Sequence, residues 1–162
     1  VMWARCCLWE RGPPRSTLLP YTTLVRSLGA LGFCDLGSHL GDDFATCGIN
    51  GTLDQVAALT WVHRNIAGFG GDPDRITIGG ESAGAFSVCN MLAMSSTDGL
   101  FHRAIAQSGA AHHTFDPEEG SGIAAEFLGR LGNPSTDELL AMDVAVLLEA
   151  QEQVAADRIH LP

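Results

Sequence analysis

The sequence predicts an α/β fold with a parallel sheet, and three observations predict it. Helix and strand signals alternate between residues 52 and 107. The two strand signals are short, and a helix separates them, which is the crossover that parallel strands need. The pentapeptide Gly80-Glu81-Ser82-Ala83-Gly84 stands where the first strand should hand over to that helix.

Each element has a local cause. Residues 28–51 are rich in glycine (Gly29, Gly32, Gly37, Gly41, Gly48, Gly51) and read as loops. Thr52-Leu53-Asp54-Gln55 has the form of a capping box, with a hydroxyl at the N-cap and Gln three residues on. A helix should run from there to about Ala67, ended by Gly68, Gly70, Gly71 and Pro73. Arg75 to Gly79, centred on Ile76-Thr77-Ile78, reads as a short buried strand. Ser82 to Met94 reads as a helix apolar nearly all round, and therefore buried. Arg103 to Gln107 is a second strand.

The remainder is helical. Ile123, Ala124, Phe127, Leu128 and Leu131 form one apolar stripe. Ser135-Thr136-Asp137-Glu138 is a second capping box, opening a helix toward Met142. Val144, Leu147 and Leu148 point to a last helix, to about Ala155. No strand signal follows Gln107, so the sheet looks unfinished.

Composition narrows the function classes. The chain has 162 residues, 46% of them apolar, and a net charge of −10. That acidity argues against a nucleic-acid binder, which needs a basic face. No apolar run reaches the length of a membrane span. Val1 to Leu8 is interrupted by Arg5 and lacks the order of a signal peptide, so the cytoplasm is favoured over secretion. The five cysteines (Cys6, Cys7, Cys34, Cys47, Cys89) show no zinc spacing and read as free thiols, with a Cys34–Cys47 disulfide as the lesser option. Asn50-Gly51-Thr52 is formally a glycosylation sequon, relevant only to a secreted eukaryotic protein.

The first 27 residues differ from the rest. They hold four of the nine arginines and a single acid, Glu10, whereas residues 28–162 carry eighteen acids and five arginines. Arg15 to Ser27 resembles translated sequencing-adapter sequence, so residues 1–27 are set aside as a non-homologous segment.

The pentapeptide carries the chemistry. Gly80-Glu81-Ser82-Ala83-Gly84 fits G-x-S-x-G, the nucleophile elbow, and its place between a strand and a helix is what that elbow requires. Such a serine sits in strained backbone that lifts its hydroxyl above the sheet edge. Strand and helix then pass so closely that Gly80 and Gly84 cannot carry a Cβ. The helix start faces the point where negative charge develops on a substrate. The N–H of Ala83, next after the nucleophile, is the expected oxyanion-hole donor. The competing reading is a glycine-rich turn with an inert serine, and the strand–turn–helix context disfavours it.

Further motifs stand in order around the elbow. Asn50-Gly51, Asp54-Gln55, Ala58-Leu59, Trp61-Val62 and Asn65-Ile66 precede it, followed by Phe69-Gly70-Gly71-Asp72-Pro73 and Ile76-Thr77-Ile78. Leu100-Phe101 and Ala104-Ile105-Ala106-Gln107-Ser108-Gly109 follow it. Together they resemble the type-B carboxylesterase family, which includes cholinesterases and bacterial para-nitrobenzyl-type esterases. The match is strong from Leu28 to Gly109, and residues 110–155 resemble the helical segment that follows in bacterial members.

The resemblance implies a partial α/β-hydrolase fold: a parallel sheet with a nucleophile elbow and a helical C-terminal segment. It implies hydrolysis of carboxylic esters through an acyl-enzyme, a small-molecule ester as substrate, and no cofactor or metal. Ser82 matches the nucleophile and Ala83 the oxyanion donor. Glu81 matches the acid that the family keeps near the base of its active-site gorge, although an exposed carboxylate favoured by the helix dipole explains it equally well. Ser108 matches a polar residue behind the catalytic triad, in a supporting role at most.

The pattern also breaks. A serine needs a histidine base oriented by a carboxylate, in the order Ser, acid, His. His102, His112 and His113 follow Ser82 too closely, and His39, His63 and His160 read as solvated or structural. None is assigned as the base. No His-Gly-Gly oxyanion loop precedes the elbow. Gly29-Ala30-Leu31-Gly32-Phe33 matches the family, but Arg26 stands one residue out of register and the tyrosine before it is missing, which places a junction after Ser27. The family often pairs that arginine with an acid near Asp72 or Asp74, so that pairing is in doubt. The chain is therefore expected to be a piece of a type-B carboxylesterase, truncated at both ends and inactive alone. The alternatives are a catalytically dead, cholinesterase-like adhesion module, which would usually have lost Ser82, and a small independent domain, which would leave a parallel edge open.

Overall fold

A computed structural model describes residues 29–111 and 114–159. The adapter-like segment 1–27, together with Cys6, Cys7, Arg26, His112, His113 and His160, lies outside the described residues. The elements run α1 (Ala30–Phe33), α2 (Gly37–Leu40), α3 (Asn50–Asn65), β1 (Thr77–Glu81), α4 (Ala83–Ala93), β2 (Arg103–Gln107), α5 (Pro117–Arg130), α6 (Thr136–Ala141) and α7 (Val144–Ile159), with short 3-10 turns between some of them. They fall into two compact units, one from residues 52–114 and one from residues 29–51 with 115–159.

The first unit is the α/β part. Its strands β1 and β2 pair in parallel, with Thr77 opposite Arg103 and Glu81 opposite Gln107. The crossover between them is α4, as the alternation predicts. Ile78 and Val88 are fully buried, and with Leu59 and Met91 they form the core. Each of the two β-branched side chains contributes roughly 2 kcal/mol by leaving water. Thr97 ends the segment after α4 by donating its hydroxyl to the Met94 carbonyl at 2.7 Å, and it is buried there.

Three expectations shift in this unit. The strand begins two residues late, at Thr77, and runs to Glu81, so Gly80 and Glu81 are strand residues. The helix α3 starts at Asn50, because a 3-10 turn over Cys47–Ile49 leads straight into it. Thr52 therefore lies inside the first turn and is buried, and the capping box expected there does not form. The left-handed Gly70 closes the turn after α3, as the glycine cluster predicts. Finally, α4 is not buried all round: Ala85, Val88 and Met91 are covered while Leu92 is 61% exposed. All five residues of β2 are exposed as well.

The second unit is helical. Cys34, Ala124, Phe127, Ala150 and Val154 form its core, so the predicted stripe of α5 faces α1 and α7. The segment read as loops holds α1 and α2 in place of continuous loop. Asp116 caps α5 by accepting the Glu119 N–H at 2.8 Å, with Pro117 in the first turn. Gly132 and Asn133, both at positive φ, close the other end, with the Asn133 N–H bonded to the Leu128 carbonyl. The Ser135–Glu138 capping box forms as read. Arg158 bonds both carboxylate oxygens of Glu126 at 3.1 Å, and Arg130 pairs with Asp157, tying α5 to α7.

Candidate active site

Ser82 stands at the junction of β1 and α4 with φ 54° and ψ −119°, a positive φ that non-glycine residues rarely adopt. Three backbone contacts hold it there. Its N–H donates to the Gln107 carbonyl at 2.9 Å, extending the β1–β2 pairing by one residue. Its carbonyl accepts the N–H groups of Ala85 at 2.8 Å and Phe86 at 3.2 Å, opening α4. The strained residue is thus over-determined by the structure around it.

Gly80 shows why the motif needs glycine. A Cβ on it would fall 2.2 Å from the carbonyl carbon and oxygen of Gly84. The strand and the first turn of the helix therefore cross in backbone contact, and the bend at Ser82 follows from that crossing. Gly80 φ lies outside the left-handed range, so the requirement is for space.

The remaining elbow residues are placed around this bend. Ser82 and Ala83 are exposed to solvent. Ala83 is the first residue of α4, so its N–H has no acceptor within the helix, and among the described residues it has none elsewhere. Glu81 ends β1 as an exposed residue. Ser108 follows β2 directly, exposed and with φ 55°. The register that sets Glu81 opposite Gln107 brings Ser108 next to Ser82 along the paired strands.

One supporting residue has a role that the sequence does not reveal. Gln55, read as part of a capping box, donates from Nε2 to the Ser87 hydroxyl at 3.3 Å. Ser87 in turn donates to the Ala83 carbonyl at 3.2 Å. The amide thus braces the first turn of the elbow helix from α3. Its Oε1 is buried without a partner among the described residues.

Among the described residues no base reaches the serine. Among the described residues the Ser82 hydroxyl has no hydrogen-bond partner, and no histidine contacts it. His39 belongs to the helical unit, where Nε2 lies 2.9 Å from the Ser121 carbonyl. Asp72 accepts the Asp74 N–H at 3.0 Å and caps a 3-10 turn. Among the described residues no three His, Cys, Asp or Glu side chains gather as metal ligands, and no helix is long and apolar enough to cross a membrane.

Cys34 does not compete as a nucleophile. Cys34, Cys47 and Cys89 are free thiols, so the Cys34–Cys47 disulfide is absent. Burial pushes the Cys34 thiol up to about 11, with the neighbouring Asp35 charge adding to the effect. It stays protonated at neutral pH and unreactive. A cavity of about 270 Å³ within the helical unit, lined by Leu31, Leu36, Phe44, Phe127 and Leu147 among others, carries no charged side chain and offers no catalytic group.

Comparison with known proteins fits this geometry. Residues 26–157 match the model of the carboxylesterase family. The chain is 42% identical over 134 residues to the para-nitrobenzyl esterase of Bacillus subtilis, covering 82% of this chain and 27% of that protein. It is 56% identical over 84 residues to human cocaine esterase, covering 52% of this chain and 14% of that protein. The structure of a Geobacillus stearothermophilus carboxylesterase superposes with a TM-score of 0.75 at 44% identity, covering 78% of this chain and 27% of that one. The chain thus spans about a quarter of the length of these bacterial relatives. Motif, strand–turn–helix geometry and family match agree: the chain is part of an α/β-hydrolase fold and belongs to the carboxylesterase family.

Proposed function

We propose that this chain carries the nucleophile of a serine carboxylesterase, with Ser82 attacking the carbonyl carbon of a small carboxylic ester. The strained Ser82 backbone at the end of a parallel strand is the observation that carries the reading. Strain of this kind costs about 1–3 kcal/mol and persists where a function requires it.

The reaction follows from the placement. A base removes the Ser82 proton as the oxygen bonds to the ester carbon, and the carbonyl oxygen takes up the negative charge. The Ala83 N–H donates to that oxygen, with the start of α4 adding its dipole. Collapse expels the alcohol and leaves an acyl-enzyme, which water then hydrolyses. The histidine base, its orienting carboxylate and the second oxyanion donors come from the three-quarters of the enzyme that this chain does not span. Ser108, at the strand end beside Ser82, supports the site without contacting substrate. Glu81 projects from the last strand residue before the nucleophile and adds negative charge near it. The 162-residue chain alone is then a fragment with little or no turnover.

The test uses a complete esterase in which residues 29–157 replace the matching stretch of the Bacillus subtilis para-nitrobenzyl esterase. Hydrolysis of short-chain aryl esters and labelling by a fluorophosphonate are both expected. Ser82→Ala should abolish labelling and lower kcat on the order of 10⁴-fold or more. Full activity in that variant would exclude Ser82 as nucleophile. Rapid ester hydrolysis by the isolated chain, lost on Ser82→Ala, would overturn the fragment reading.

A further inference from the structure

We propose that Gly109 is a positioning residue for the oxyanion hole, aiming the Ala83 N–H by leaving room for the Ser82 carbonyl. The inference rests on the reading of Ser82 as nucleophile. Its basis is a close approach. A Cβ on Gly109 would stand 2.8 Å from the Ser82 carbonyl oxygen, and 2.6 and 2.8 Å from Cε1 and Cδ1 of Phe86. Gly109 φ lies outside the left-handed range, so its requirement for glycine is one of space.

The route to this contact begins at β2. The Gln107 carbonyl holds the Ser82 N–H at 2.9 Å. Ser108 then turns at φ 55°, and the turn carries Gly109 across the start of α4. The positive φ of Ser108 thereby gains a purpose: extended backbone at that point would carry the chain past the elbow.

The consequence lies in one peptide plane. The Ser82 carbonyl and the Ala83 N–H belong to the same rigid amide. The carbonyl is also pinned from the helix side by the N–H groups of Ala85 and Phe86. A methyl group at position 109 must push this oxygen away, and any tilt of the oxygen tilts the Ala83 N–H on the other side of the plane. Donor direction toward the developing oxyanion is what the reaction depends on. The Phe86 contact is with side-chain atoms and leaves the peptide plane alone. The carbonyl cannot move without the donor.

The experiment uses the chimeric esterase described above. In it, wild-type activity and its loss in Ser82→Ala report on the nucleophile separately from any result at position 109. Gly109→Ala should lower kcat about 10²-fold with KM little changed, the loss typical of one oxyanion donor. Affinity for an aryl trifluoromethyl ketone, which forms a tetrahedral adduct with the serine, should fall by a similar factor, while a ground-state ester analogue binds as before. The double variant Gly109→Ala with Phe86→Leu relieves the ring clash alone. It should regain melting temperature and stay slow. Wild-type kcat in either variant would overturn the proposal, as would recovery of both kcat and stability in the double variant. Failure of both variants to fold would also overturn it, assigning Gly109 to packing alone.

Discussion

Around Ser82 the tightest contacts are backbone against backbone, whereas α5, α6 and α7 of the helical unit are capped or paired through side chains. Around Ser82, Gly80 meets Gly84 and Gly109 meets the Ser82 carbonyl at distances no Cβ tolerates. The core beneath them is small, and every β2 residue is exposed, with Ile105 at 53%. In the helical unit the same chain uses Asp116 and Ser135 as caps, guanidinium–carboxylate pairs between α5 and α7, and an aromatic core residue, Phe127. The bend at Ser82 is set chiefly by backbone contact, with the Gln55–Ser87 bridge bracing it from α3. The helical scaffold is tied by caps and pairs, each replaceable at modest cost.

That contrast can be broken first at Gly80. Gly80→Ala should destabilise the α/β unit by upwards of about 3 kcal/mol, since the clash is with backbone and no rotamer relieves it. Amide hydrogen exchange should show lost protection in β1 and β2 with α5 and α7 unchanged, and fluorophosphonate labelling of Ser82 should disappear. Equal loss of protection in both units would mean that the two share one cooperative core.

The reciprocal change is Phe127→Ala. It should cost the helical unit about 3 kcal/mol, the low end for such a truncation because Phe127 also lines an open cavity. Exchange protection should fall in α5 and α7 while Ser82 labelling in the chimera survives. Loss of labelling with β1 protection intact would show that the helical unit shapes the elbow.

The smallest effect belongs to the Ser135 cap. Ser135→Ala should cost about 1 kcal/mol and act on α6 alone. The Ser135 hydroxyl, followed by its backbone N–H, holds the Glu138 carboxyl below its ordinary value of 4.5. A depressed folded value means the contribution is intact above about 4.5 and fades as pH falls through the lower folded value. The protection of α6 amides relative to their intrinsic exchange rate at each pH should therefore fall between pH 6 and pH 3 in the wild type and change less in Ser135→Ala. An identical acid response in both would show that the capping box is not its source.

Much of this was legible in the residues. The parallel β–α–β order, the strand–turn–helix setting of Gly80–Gly84, β2 at Arg103–Gln107 and the Ser135 cap all match the structure, because each rests on a short-range rule with a strong residue signature. Boundaries that depend on neighbours did not. Thr52 looked like an N-cap, but the 3-10 turn before it supplied an earlier start for α3. Gln55 looked like its capping partner and instead reaches Ser87, more than thirty residues away. The Ser82–Met94 helix looked buried on all sides because apolar content cannot say which faces are covered within this chain.

By itself, then, the sequence determined the family and the α/β pairing order, and it singled out Ser82 as the proposed nucleophile, since these follow from residue types in fixed local order. Only the tertiary structure decided how Ser82 is held. Its N–H is fixed by Gln107, its carbonyl is crowded by Gly109, and the first turn of its helix is braced by Gln55 through Ser87. Gln107, Gly109 and Gln55 lie 25 or more positions away from Ser82, and no local pattern encodes which atoms they will touch. Distances of a few tenths of an ångström, set by how strand and helix cross, are a property of packing and not of residue type.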